Sequence, residues 1–168
     1  MDRFAPYLLD RLFDNAPQLS SEGTSPMFSL KEIKDSVARD LEALLNSRCA
    51  LQADTLAAYP RAARSILSFG LDDFSARSLA GASDRDFICR AILRAIEQQE
   101  PRLSKVAVSI EVRGGPAREL HFSISALLRL SPLAEPVNFD AVLQSGSGHY
   151  VVSSARPPRP DSDGTAAR

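Results

Sequence analysis

The chain has no tryptophan and only three tyrosines, two histidines and two cysteines among its 168 residues. Two histidines are too few for a metal site built from histidine side chains. Cys49 and Cys89 form no CxxC pair and lie in segments with helical patterns. Free cysteines in such segments behave as small apolar residues, so we expect two reduced, partly buried thiols.

Long apolar runs and an excess of either charge are also missing. No window approaches the ~20 apolar residues that a membrane-spanning helix needs, and the N-terminal residues form a charged amphipathic segment instead of a signal peptide. Twenty basic and 21 acidic side chains give a formal net charge of −1, which does not favour a nucleic-acid or polybasic membrane surface. We therefore expect a cytoplasmic protein.

The chain divides into three parts by composition. Residues 1–27 carry an amphipathic helical pattern over residues 3–15, followed by a linker rich in Pro, Ser and Gly. This helix either packs locally or docks on a partner. Residues 28–153 form the predicted domain, and hydrophobic residues at 44% of the chain suffice for one core. Residues 154–168 hold no large apolar side chain, and we expect a disordered tail.

Two main helices are predicted. Ser29 and Glu32 form a capping box, and apolar residues then repeat at helical spacing as far as Asn46. Ser83 is the expected cap of the second helix, which ends where Pro101 prevents its continuation. Between the helices, residues 65–70 form either a short strand or an ordered connection that ends at a glycine turn.

The apolar period changes from helical spacing to strict alternation after residue 102. Such alternation predicts half-buried strands, and a break over residues 131–136 separates the second strand from the third. The fold class is therefore α+β, a two-layer domain with N-terminal helices packed on a three- to four-stranded antiparallel sheet that has at least one open edge. The alternating apolar residues are Val106, Val108, Ile110 and Val112, then Leu120, Phe122, Ile124 and Ala126, then Val137, Phe139, Ala141 and Leu143, and finally Tyr150, Val151 and Val152.

Candidate catalytic groups are sparse. His121 lies beside Ser123 and Ser125 on the polar face of a strand, but no turn motif presents a serine as a nucleophile. Glu97 and Glu100 form a carboxylate pair, and glycoside hydrolysis would need them at a defined separation across a cleft. We expect no catalytic residue, no metal ligand and no cofactor.

The sequence Glu100-Pro101-Arg102 lies where the second helix ends and the first long strand begins. One interpretation is a helix stop with a surface ion pair worth at most about 1 kcal/mol. The other is a rigid, charged elbow that a partner recognises, because proline fixes the backbone and arginine offers a planar fork of donors. The residues alone leave both open.

Four segments together resemble the TssE family of type VI secretion baseplates and its relative, the small lysozyme-like wedge protein of contractile phages. They are residues 36–48, 68–74, 100–103 and 135–140, and the similarity extends over about residues 28–152. Their order and spacing make the resemblance specific. Residues 11–12 also resemble the N-terminal helix of the family.

The resemblance implies a structural subunit without enzymatic activity. Members of the family contact TssF and TssG in the wedge, and TssK indirectly, in a cytoplasmic baseplate docked at the inner-membrane complex. The open sheet would template the TssB/TssC contractile sheath by accepting strands in a handshake, for which β-augmentation is the physical mechanism. Carried over, the protein-binding residues are Glu100, Pro101 and Arg102 toward TssF, and Tyr150, Val151 and Val152 as the edge strand.

The alternative function is a peptidoglycan-cleaving, lysozyme-like hydrolase with Glu97 or Glu100 as the catalytic carboxylate. The lack of tryptophan speaks against it, because the sequence offers no evident saccharide cleft rich in aromatic residues.

Overall fold

A computed structural model describes residues 3–5, 27–49, 51, 53–72, 81–112, 120–130, 133–144 and 146–155. Its elements confirm the α+β class, with helices packed on a four-stranded antiparallel sheet. They are β1 (Arg3–Phe4), β2 (Phe28–Ser29), α1 (Leu30–Asn46), α2 (Ala53–Ala57), 3₁₀ turns at Ala62–Arg64 and Ile66–Ser68, α3 (Ala82–Gln99), β3 (Leu103–Val112), β4 (Leu120–Leu130), β5 (Leu133–Gln144) and β6 (His149–Ser154).

Helix α1 begins at the capping box that the sequence predicts. The Ser29 hydroxyl accepts a hydrogen bond from the Glu32 N–H at 3.3 Å, and the Glu32 carboxylate accepts one from the Ser29 N–H at 2.7 Å. These two bonds satisfy donors that have no partner inside a helix. The helix ends after Asn46, as expected.

Helix α3 begins two residues earlier than the sequence predicts. Ser83 is wrong as its cap, because the helix starts at Ala82 and Gly81 occupies the capping position without a side-chain hydrogen bond. Gly81 has the extended backbone of a cap (ψ 136°), so the chain enters the helix before Ser83 is reached. The end of the helix at Gln99, just before Pro101, is confirmed.

The four long strands form a meander in the order β3-β4-β5-β6. Strand β5 starts at Leu133, so the predicted break over residues 131–136 is wrong from Leu133 onward, and residues 131 and 132 lie outside the described residues. Pro136 lies opposite Leu127 of β4. The Leu127 carbonyl points away from β5, toward Ser104 of β3, so Leu127 and Pro136 form a pair without hydrogen bonds between them, and the Pro136 nitrogen faces away from β4. The pairing of β6 with β5 starts at Phe139, so the missing donor at Pro136 interrupts no ladder bond.

Strand β3 contains an irregularity near its start. Its register with β4 shifts between Ser104 and Ala107, and Lys105 within the shift has a φ of 51°. Such a bulge changes which peptide groups face the neighbouring strand.

The core lies between the two helices and one face of the sheet. The Phe122 and Tyr150 rings contact each other with centroids 5.8 Å apart. Both helices bury the apolar stripe that their sequences predict. The largest fully buried side chains are Tyr150, Phe122, Phe139, Ile33, Leu41, Leu45, Leu71, Ile88, Ile92, Ile96, Ile124 and Leu128.

Residues 65–70 are an ordered connection and not a strand. The Cys49 N–H donates to the Leu71 carbonyl at 2.9 Å, and the Leu71 N–H donates to the Ser47 carbonyl at 2.9 Å. Gly70 between them has a φ of +109°, and a Cβ there would lie 2.7 Å from the Ser47 oxygen. Only glycine meets both demands.

Both ends of the described chain contain more strand than the sequence predicts: a separate two-stranded sheet at the N-terminal end and a longer β6 at the C-terminal end. Arg3 and Phe4 pair antiparallel with Ser29 and Phe28, so the predicted helix over residues 3–15 is wrong at its start. Its remainder and most of the linker lie outside the described residues. At the other end Ser154 belongs to β6 and the Ala155 N–H bonds the Asn138 carbonyl at 2.9 Å, so the predicted tail begins too early, and residues 156–168 are not described.

Candidate functional site

Glu100, Pro101 and Arg102 form the tight turn that joins α3 to β3. The Leu103 N–H donates to the Glu100 carbonyl at 3.1 Å, which makes this a four-residue turn with Pro101 at its second position. Proline is common at the second position of such a turn because its ring fixes the φ that the turn requires. The Arg102 carbonyl then accepts the Arg129 N–H at 2.8 Å, so the turn leads directly into the β3-β4 ladder.

The side chain of Arg102 folds back onto this turn and onto α1. Its Nε donates to the Glu100 carboxylate at 2.6 Å, and its Nη2 bonds both Glu100 and Asp40. Its Nη1 donates to the Ser36 hydroxyl at 3.4 Å. One guanidinium therefore ties α1 to the junction between α3 and β3.

This cluster of Ser36, Asp40, Glu100 and Arg102, hereafter the arginine cluster, is largely buried. Glu100 is 5% exposed and Ser36 is 1% exposed. Burial alone would lower the pKa of Arg102, but the carboxylates of Glu100 and Asp40 outweigh it and raise the pKa above its ordinary value. The guanidinium stays charged, and its donors are directed inward.

Of the two interpretations of the motif, the geometry favours charges that lock the chain's own fold. Pro101 is exposed at the apex of the turn. The Asp40 side chain is 33% exposed, against 6% for that of Glu100. A partner that approaches the elbow would therefore meet Pro101 and Asp40 first. Binding of a partner by these residues stays a prediction.

Sequence reasoning missed Ser36 and Asp40. A signal was present, because the two residues are four apart on one predicted helix and border its apolar stripe. Nothing local shows which side chain they meet, since Asp40 and Arg102 are 62 residues apart.

Strand β6, which holds Tyr150, Val151 and Val152, is one edge of the sheet, and α1 covers its outer side. The Asn46 side chain bonds both backbone groups of Tyr150, accepting from the N–H at 2.8 Å and donating to the carbonyl at 2.8 Å. The Glu42 carboxylate accepts from the Val152 N–H at 2.8 Å. Asn46 thereby takes the place of a neighbouring strand.

A docking strand at this edge would compete with those three bonds. Tyr150 is fully buried, Val152 is buried, and Val151 is 42% exposed. The N–H of Val151 points inward, toward Val142 of β5, because the outward groups belong to the even-numbered residues of β6. The expected role of these three residues in accepting a strand stays a prediction. It requires that Asn46 and Glu42 of α1 release their hydrogen bonds to the β6 backbone.

The opposite edge, β3, differs. Ala107 and Ser109 pair with β4 through their backbone groups, so those of Val108 and Ile110 point outward. Within the described part of the chain these outward groups have no hydrogen-bond partner. A shallow groove of about 420 Å³ runs along this edge beside α3, lined by Asp86, Cys89, Arg90, Val108, Ser109 and Ile110. Burial raises the pKa of the Cys89 thiol, which keeps it protonated.

The carboxylates of the alternative hydrolase do not form a cleft pair. Both oxygens of Glu100 bond Arg102, whereas Glu97 is exposed on α3. Among the described residues, no group of three or more His, Cys, Asp or Glu side chains could hold a metal ion. The helices described are also too short or too polar to cross a bilayer.

A comparison with protein families gives a match to most of the described domain. The model of a family described as "Baseplate wedge protein gp25" matches residues 31–133, which is well over half of the chain. The matched region contains both main helices, the arginine cluster and the open edge at β3, whereas β6 lies beyond it. None of the curated proteins searched matches the chain.

Proposed function

The chain belongs to the baseplate wedge protein gp25 family, which is also the family of TssE, and on that premise we propose that it is the wedge subunit of a type VI secretion baseplate. Family membership gives it a structural role in a baseplate. The finer assignment is that it binds TssF and TssG in the wedge, meets TssK indirectly, and starts polymerisation of the TssB/TssC sheath on the cytoplasmic side of the inner-membrane complex.

The observation that carries this proposal is the contrast between a locked elbow and an open strand edge in the matched region. The arginine cluster fixes the angle at which α3 passes into β3. A partner thus meets Pro101 and its surroundings in one orientation, with little ordering cost on binding. Six wedges that close a ring would then make individually weak contacts act together.

Sheath docking is assigned to β3 instead of Tyr150–Val152. A strand that adds to an edge gains affinity from main-chain hydrogen bonds. The outward N–H and carbonyl groups of Val108 and Ile110 on β3 make no hydrogen bond among the described residues that a docking strand would have to break. The half-buried side chains of the same residues give the docking strand an apolar surface.

Wedge binding is tested by co-expression of the wild-type chain with TssF and TssG, followed by size-exclusion chromatography. We expect all three to elute as one complex. Elution of the chain alone, apart from a TssF–TssG complex, would overturn the assignment.

Sheath docking is tested by two matched proline variants. Val108→Pro removes an outward N–H from β3 and should leave the fold and the wedge complex intact, because proline is tolerated at an edge. It should reduce sheath assembly by about tenfold or more. Val152→Pro removes the N–H that donates a hydrogen bond to the Glu42 carboxylate at the β6 edge. Loss of sheath assembly in Val152→Pro alone would place docking at β6.

A further inference from the structure

The connection between α1 and α3 carries a concentration of exposed apolar side chains. Tyr59 is 65% exposed, Ile66 76% and Leu67 52%. They make up three of the six large hydrophobic side chains exposed in the described residues, although they lie within nine positions of one another. Together with Arg61 and Arg64 they are called the connection surface below.

The connection surface is held in place by its own hydrogen bonds. The Ser68 hydroxyl donates to the Ala63 carbonyl at 2.9 Å and accepts from the Gln99 side chain of α3 at 3.1 Å. The Ser65 hydroxyl donates to the Ala62 carbonyl at 2.8 Å. Exposure of Ile66 and Leu67 is therefore a property of an ordered segment, and a partner would bind it at little entropic cost.

A partner of this surface must use side chains instead of main-chain pairing. The N–H groups of Ala63, Arg64, Ser65, Ser68 and Phe69 all donate to carbonyls within the segment. No free ladder is left for an added strand. Recognition through side chains is typical of an amphipathic helix that lays its apolar face on an apolar surface.

The charge of the surface has one sign. Between Asp54 and Asp72 the only charged residues are Arg61 and Arg64. Both are exposed, and neither makes an ion pair within the described residues. A separate groove of about 230 Å³ between the connection and α3 is lined by exposed Arg94, by buried Leu56 and by one acidic residue, Asp72. Tyrosine and arginine are the residue types that dominate binding energy in protein interfaces.

We propose that the connection surface binds an amphipathic helix with an acidic rim, supplied by a neighbouring subunit of the wedge. The apolar side chains of that helix cover Tyr59, Ile66 and Leu67, and its carboxylates pair with Arg61 and Arg64. The Ser68–Gln99 bond places this surface next to the elbow at Pro101, so one partner can span both. The source of the helix rests on the proposed function, whereas the surface itself does not.

A lipid surface fits the observations less well. Interfacial segments present a long apolar face to the membrane, whereas here Ile66 and Leu67 lie on one 3₁₀ turn of three residues and Tyr59 lies outside any helix.

Hydrogen–deuterium exchange of the free chain and of the purified wedge complex tests the proposal. We expect slower exchange of the amides over residues 59–69 in the complex. The double variants Ile66→Ser/Leu67→Ser and Arg61→Glu/Arg64→Glu should each weaken binding to the wedge partners by about tenfold or more, with unchanged circular dichroism. Leu133→Ser is the matched control, since Leu133 is also an exposed apolar residue (57%) but lies on β5; it should bind as wild type.

Three outcomes would overturn the proposal. If the wedge complex forms but amide exchange over residues 59–69 is not slowed, the connection surface is not a binding site, and the proposed function still holds. Equal weakening by Leu133→Ser would show a general effect of lost apolar residues. Cosedimentation of the wild-type chain with phosphatidylglycerol vesicles, lost in Ile66→Ser/Leu67→Ser, would assign the surface to a membrane. Absence of any wedge complex with wild type would instead overturn the proposed function.

Discussion

The two edges of the sheet are both tied to α1, but in different ways. At β6, Asn46 and Glu42 bond backbone groups of the strand itself and occupy the positions that an added strand would need. At β3, α1 bonds Arg102 at the entrance of the strand through Ser36 and Asp40, and the outward groups of Val108 and Ile110 have no hydrogen-bond partner among the described residues. One helix therefore closes one edge and steadies the other. Unpaired edges invite unwanted association, and among the described residues α1 blocks the outward backbone groups at β6 but not those at β3.

The largest expected effect comes from breaking the link at β3. Arg102→Ala leaves the carboxylate of Glu100 buried without its cation, and loss of one member of a buried ion pair costs about 3–5 kcal/mol. Urea denaturation followed by circular dichroism should show a fall of that size in the free energy of unfolding. The double variant Glu100→Gln/Arg102→Met removes both charges and should lose less. A fall below about 1 kcal/mol in Arg102→Ala would mean that the cluster acts as a surface ion pair.

A smaller effect is expected from opening the edge at β6. Asn46→Ala leaves the N–H and carbonyl of Tyr150 without partners, which should cost about 1–3 kcal/mol. The freed edge should also allow self-association that increases with protein concentration, measurable by analytical ultracentrifugation. Lys31→Ala is the matched control, because Lys31 makes only an exposed ion pair with Asp35 at 2.7 Å on the same helix. Monomeric Asn46→Ala at all concentrations would contradict the view of Asn46 as an edge cover.

The smallest effect concerns the core beneath the closed edge. The Tyr150 hydroxyl is buried without a hydrogen-bond partner in the described residues, so Tyr150→Phe should stabilise the fold by about 1 kcal/mol. Burial raises the pKa of Tyr150 to about 12, above its ordinary value of about 10.

Because the pKa is higher in the folded state, the stability that the protonated Tyr150 hydroxyl contributes is fully present below about pH 10. This contribution is lost as the pH rises from about 10 toward 12. Tyr150→Phe should show less of this alkaline loss in thermal melts recorded across that interval. An identical alkaline profile in both proteins would show that the hydroxyl is hydrated.

Local features of the fold could be predicted from the sequence, and distant ones could not. The capping box at Ser29 and the stop at Pro101 involve residues three or fewer positions apart, so their chemistry is visible in the chain. The alternation of β4 likewise marks its buried face. By contrast, Asn46 and Tyr150 are 104 residues apart. Asparagine at the end of a helix suggests a cap, and nothing nearby indicates that it bonds a strand.

The candidate site was predicted in part for the same reason. The position of Glu100-Pro101-Arg102 at the change from helical to alternating apolar spacing marks the motif in the sequence. Whether its charges face inward depends on Ser36 and Asp40, which share no local pattern with it. The direction of the peptide groups along β3 was also beyond reach, because the bulge near Lys105 depends on pairing with β4.

The bulge near Lys105 limits the length of the β3 edge along which a strand could pair. After the pairs at Leu103 and Ser104 the register shifts, and pairing with β4 then runs without interruption from Ala107 to Val112. At about 3.3 Å per residue, the usable edge is roughly 20 Å long. A strand that adds to β3 as proposed would pair with about six residues of this stretch, and a longer strand would find no further uninterrupted pairing there.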